Sequence, residues 1–198
     1  MNTVEIKGSV REGLGKRATK DARNEGKIPC VLYGKEGLQH FETTFADIKT
    51  LIYTPDFKVA EVSLDGKTTR AIVKAVQYHP VNEDILHIDF LQLVDGQAIK
   101  VELPIRFKGS SPGVKLGGKL QQSIRRVRVK GTPENLVDEL YVDISHLELG
   151  QAARVRDIDL PEGLELLVPG ASPVAVIEIP RALRSAEAAK AAEAKKGK

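Results

Sequence analysis

Residues 58–78, KVAEVSLDGKTTRAIVKAVQY, set Asp65-Gly66 between two runs that alternate in steps of two. An Asp-Gly pair in that setting is a strong hairpin signal, because both residues tolerate the positive φ of a tight turn. A lone hairpin is marginal in water, so its apolar face must be covered by further strands. The neighbouring sequence supplies them: TVEIKGSV, IPCVLYG, QHFETTF and DILHIDFLQL share the pattern, with turn formers at Gly34-Lys35-Glu36-Gly37. One segment breaks the period, since TFADIKTLIY places Phe45, Ile48, Leu51 and Ile52 at helical spacing. Antiparallel strands with one or two helices predict a small barrel of roughly 90 residues.

After LVDGQAIKVELPIRFKG a second set of elements begins. VELPIRFKG, RRVRVKG, ELYVDIS, RVRDIDL and SPVAVIEIP read as strands, with turns at GSSPG, GTPEN and LPEG. The stretch GVKLGGKLQQSIRRVRV is too rich in glycine for a regular helix at its start and reads as an extended loop entering a strand. The fold class expected is therefore mainly β with a few helices: an N-terminal barrel, a second β-rich domain, and a basic Ala-rich tail over 181–198. By propensity that tail favours helix, yet it lacks an apolar stripe to bury and would fray or be disordered by itself.

Charge narrows the function. The net charge of +3 is small, but residues 106–130 carry eight Lys/Arg and no acid, whereas 131–180 carry two against ten. Basic stretches in a chain without an apolar span favour a polyanion, and the start MNTVEIKGSV has no signal-peptide core, so a cytoplasmic protein is expected. An acidic block binding a protein partner is a further possibility. With five Phe, four Tyr and no Trp, a base-stacking platform for single strands is not indicated. The single cysteine, Cys30, sits among apolar residues, which excludes an internal disulfide and suits a buried side chain better than a nucleophile.

Two groups could carry chemistry. KRATKDARN, between Gly15 and Gly26, can form about two helical turns, with Lys16, Lys20 and Arg23 recurring at i, i+4 and i+7 on one side. Only Ala18 and Ala22 look core-like, so this helix needs the sheet or a ligand to order it. The second group lies in AIVKAVQYHPVNEDILHIDFL, which reads as two strands joined by a short loop. Period two sends Leu86, Ile88 and Phe90 to one face and His87 and Asp89 to the other, while Gln77 and His79 share a face of the preceding strand. Such a set could ligate a metal, act as an acid/base pair, or hydrogen-bond a flat polar partner. His79, His87 and Asp89 compose only a partial zinc or iron set, with His79 ahead of Pro80 and no further ligand apparent.

At these residues the chain resembles a known family. VREGLGKRATKDARNEGKIPCVLYG followed by QYHPVNEDILHIDF is similar to the bacterial large-subunit ribosomal proteins that bind 5S rRNA. LPIRFKGSSPGVKLGGKLQQSIRRVRVKGTPENLVDELYVDISHLELG is similar to the extra domain of their longer form, the general stress protein CTC, so the resemblance covers nearly all of residues 1–180. It implies a six- or seven-stranded barrel over 1–94 that docks on the loop E helix of 5S rRNA, a CTC-type domain over 95–180, and a role in stabilising the central protuberance. It implies that Arg11, Lys16, Lys20 and Arg23 lie against phosphates, with Arg17 adding a charge where the family pattern has a small residue. Tyr33, Gln77, His79, His87 and Asp89 would form the RNA-facing surface; a carboxylate there can accept from a guanine amino group. Lys115, Lys119, Arg125, Arg126 and Arg128 are candidates for a secondary contact with neighbouring 23S rRNA or large-subunit proteins. No catalysis, cofactor, metal, membrane or small-molecule substrate is expected.

Overall fold

A computed structural model describes residues 2–35 and 37–181. The expectation for the tail falls outside the described residues, Arg181 excepted. Contacts divide the chain into two compact units, the first holding Met1–Val101 and Gly131–Asp138, the second Glu102–Lys130 and the chain from Glu139.

The first unit is a closed six-stranded barrel. Its strands are β1 (Asn2–Val10), β2 (Lys27–Gly34), β3 (Gly37–Thr44), β4 (Lys58–Leu64), β5 (Lys67–Tyr78) and β6 (Ile85–Gln92), in the order β1-β3-β2-β6-β5-β4. Parallel pairing of β1 with β4, from Asn2↔Lys58 to Gly8↔Leu64, closes the ring and leaves no long free edge. Asp65 has φ 48° and Gly66 φ 83°, so the Asp-Gly pair turns β4 into β5 as its chemistry demands. Inward side chains, among them Ile6, Cys30, Phe41, Val62, Ile88 and Phe90, form the core, where the Phe41 and Phe90 rings pack 5.6 Å apart. Burial pushes the Cys30 thiol far up from its usual range, which leaves it a small apolar filler.

Two helices lie on this barrel. Helix α1 (Lys16–Asn24) packs on β2, so that β2 is buried on both faces from Ile28 to Leu32. Helix α2 (Phe45–Ile52) adds Ile48 and Leu51 to the core. One expectation fails at β6. Gln77 pairs with His87 but Tyr78 pairs with Ile85, which makes Leu86 the extra residue of a bulge. Ile85 therefore takes the buried place, and Leu86 is only half-buried beside the fully buried Ile88 and Phe90.

Mainly in the second unit, β7 (Ile99–Lys108), β9 (Arg126–Gly131), β10 (Leu140–Asp143), β12 (Ile158–Asp159) and β13 (Leu164–Leu166) form a sheet of order β12-β10-β7-β9-β13. A three-stranded sheet has the order β11-β14-β8, from Ala152–Arg154, Pro173–Glu178 and Lys119–Gln122. Along β9 Val127 and Val129 are buried while Arg126, Arg128 and Lys130 are exposed, as period two requires. Two readings are corrected here. RVRDIDL is not one strand: Asp157 accepts the Arg154 backbone N–H at 2.8 Å, a 3-10 turn follows over Val155–Asp157, and the chain passes from β11 to β12 in the other sheet. Nor is PGVK an extended loop. Ser111 caps the short helix α3 (Pro112–Lys115), with Pro112 at its first position, where a missing N–H costs nothing.

Candidate nucleic-acid interface

Helix α1 is a weak helix by its own sequence. It has nine residues, below the length at which isolated helices hold in water. No side chain caps its N-terminus, and Lys16 and Arg17 oppose the helix dipole in the first turn. Ala22 is its only buried residue. Two arginines hold it from outside. Arg11 donates from Nη2 to the Gly13 carbonyl at 3.0 Å and to Thr19 Oγ1 at 3.3 Å, while Thr19 Oγ1 donates to the Gly15 carbonyl at 2.7 Å. Arg23 donates from Nε and Nη2 to the Leu86 carbonyl at 3.1 and 3.0 Å. That carbonyl belongs to the bulge residue of β6, so the end of α1 is fastened one residue from His87.

The cations of this segment thus divide by task. Lys27 Nζ sits 2.7 Å from Glu42 and 3.1 Å from Glu25, whose carboxylates raise its pKa above the usual lysine range. Lys16, Arg17 and Lys20 are exposed and, among the described residues, have no ion-pair partner. They share the solvent side of α1, opposite Ala18 and Ala22.

The polar hairpin comes together in part. His87 Nδ1 lies 2.8 Å from Asp89 Oδ1 at ion-pair distance but outside hydrogen-bond geometry, and Tyr33 donates to Asp89 Oδ2 at 3.4 Å. Partial burial and the Asp89 carboxylate raise the Tyr33 phenol above its usual range, so it stays a donor. Gln77 stands opposite His87 in register and is exposed. His79 is turned elsewhere: its Nδ1 accepts from the backbone N–H groups of Val81 and Asn82 at 3.3 and 3.2 Å, closing the hairpin loop. A nitrogen that accepts carries no proton, which leaves Nε2 as the donor of the neutral ring. Among the described residues no group of three or more His, Cys, Asp or Glu is placed to hold a metal ion, and no helix is long and apolar enough to cross a membrane.

Most of the second basic stretch is engaged within the protein, two of its cations by the acidic block. Arg106 meets Glu139, Arg128 meets Glu102 at 2.8 Å, Lys130 meets Glu165 at 3.6 Å, and Lys108 Nζ lies 4.0 Å above the Tyr141 ring. Arg126 is exposed and engaged as well. Lys115, Lys119 and Arg125 are exposed and, among the described residues, without an ion-pair partner. Sequence reasoning missed Thr19 and the Leu86 carbonyl, since neither a hydroxyl in a short helix nor a bulge has a signature in period two.

A model of the ribosomal L25p family matches residues 6–90, and a model of the C-terminal domain of ribosomal protein TL5 matches residues 98–181. Proteins named large ribosomal subunit protein bL25 are similar over almost the whole chain. That of Cytophaga hutchinsonii is 41% identical over 191 residues, 96% of this chain and 99% of its own length. The Amoebophilus asiaticus protein is 42% identical over 196 residues, 99% and 100% of the two chains, and that of Bacteroides fragilis 39% over 194, 96% and 98%. The two family matches, one on the barrel and one on the second β domain, together define a two-domain ribosomal protein. The chain belongs to the ribosomal L25p family of the large subunit, in the long form with a TL5-type C-terminal domain.

Proposed function

We propose that this chain is a non-enzymatic structural component of the large ribosomal subunit that binds 5S rRNA at loop E through α1 and the β5–β6 hairpin and stabilises the central protuberance. The observation that carries the reading is the unpaired Lys16, Arg17 and Lys20 set, fastened through Arg23 and Leu86 beside the His87, Asp89 and Tyr33 cluster. Cations without protein partners release counterions on meeting phosphates, and fixed donors and acceptors read base edges in a groove. The loop E helix of the RNA, irregular in its pairing, would supply the widened minor groove such a hairpin can enter. In the second domain the cations that support a contact with 23S rRNA or a subunit protein are Lys115, Lys119 and Arg125.

The test is a salt-titrated binding assay of the full chain against a loop E hairpin and a regular duplex of equal length. Preference for loop E with a steep salt dependence supports the reading; equal, weak binding to both rejects it.

A further inference from the structure

Resting on that reading, we infer that Arg23 and Arg11 are positioning residues and not phosphate contacts: two struts that hold α1 so that Lys16, Arg17 and Lys20 meet the RNA already ordered. The helix cannot hold itself, with its short length, open N-terminus, cations in the first turn and single buried alanine. Each end has one guanidinium bound to backbone carbonyls. At the N-terminal end Arg11 grips Gly13 and, through Thr19, the first turn. At the C-terminal end Arg23 presents Nε and Nη2 together to a single oxygen, Leu86, 63 residues away. The bulge is what offers this oxygen, because the extra residue of a bulge drops out of strand pairing. A planar fork is suited to this grip and a lysine ammonium is not. The struts add no contact to the bound state; they remove the ordering cost that a frayed helix would meet on binding.

The experiment compares Arg23→Ala, Arg23→Lys and Lys20→Ala in the full chain. Affinity for the loop E hairpin is measured across salt concentrations, and amide hydrogen exchange of α1 is measured without RNA. Both Arg23 variants are expected to weaken binding roughly three- to tenfold, with an unchanged salt slope and faster exchange across α1. Lys20→Ala is expected to lower the slope by roughly one phosphate contact and to leave exchange as it was. If Arg23→Ala lowers the slope by that amount while Arg23→Lys restores it, Arg23 is a phosphate contact and the strut assignment is overturned. Unchanged α1 exchange in both Arg23 variants overturns it equally, whatever happens with RNA. Should Lys20→Ala alter neither affinity nor slope, the RNA reading of α1 fails, and the exchange data still decide the struts.

Discussion

Arg106 Nε donates to Glu139 Oε2 at 2.9 Å, and through that pair the most basic stretch of the chain meets the most acidic one. Two blocks that look in sequence like separate binding surfaces meet at two ion pairs, Arg106 with Glu139 and Lys130 with Glu165. The Glu139 carboxylate also accepts from Tyr141, so its negative charge is held by a phenol and a guanidinium together.

Acid should loosen the second unit. Glu139 is held below the usual carboxylate range by Tyr141 and then by Arg106, and Asp143 by the Ser145 hydroxyl and backbone N–H. A depressed folded-state pKa contributes stability above the unfolded carboxylate value, and that contribution drains as pH falls through the folded value. The thermal midpoint should be flat from neutrality to about pH 5 and fall below that, and less steeply in Glu139→Gln. A variant with the same acid limb as the parent would remove Glu139 from the cause.

Paired and unpaired cations of the second domain should behave differently. Arg128→Ala removes a cation already held by Glu102, so binding of the full chain to a large-subunit rRNA fragment should change less than twofold. Lys115→Ala with Lys119→Ala should reduce the salt slope by roughly one to two phosphate contacts. Equal effects of the two changes would show that the ion pair opens on RNA.

His87→Ala should lower the preference for loop E over a regular duplex by about 1 kcal/mol or more, the scale of a lost base-edge contact. Removing the imidazole also leaves Asp89 with Tyr33 as its donor, so the hairpin keeps its fold. Equal weakening on both RNAs would count against groove readout.

Gly113→Ala should destabilise the second unit by about 1–3 kcal/mol, the usual cost of overpacking. A Cβ at this position would stand 2.7 Å from the Glu148 carbonyl carbon and 2.9 Å from the Leu149 nitrogen. Both are backbone atoms, which cannot swing aside as a side-chain tip can. Chemical denaturation followed in the parent and variant measures the difference.

The legibility of this chain follows the range of the forces involved. KRATKDARN stops at two glycines and coincides with α1, and each expected barrel strand lies within or beside an observed one, because period and turn chemistry are local. The closed six-strand ring fits the barrel expectation. What escaped is non-local. Nothing near Leu86 announces a bulge, and nothing near Arg23 says that its partner lies in the sixth strand. The pairing of Arg106 with Glu139 depends on β7 lying beside β10, a sheet order that residue spacing does not encode. Helix α3 is too short for a periodic signal, and only Ser111 followed by Pro112 marks its start. In the candidate site the charged and polar residues could be named from sequence, whereas the backbone partners that set Arg11 and Arg23 apart from Lys16, Arg17 and Lys20 needed three dimensions.

The parallel β1–β4 seam sets an order of events on a growing chain. The ring needs β6 between β2 and β5, and Arg23 waits for Leu86, so neither the ring nor the fastening of its basic helix can form until β6 has emerged. Contacts this distant in sequence are slow to close, because chain entropy must be spent before they reward it. Such a protein matures the surface proposed to meet RNA late and all at once, and a nascent fragment ending before β6 would carry the cations without the means to aim them.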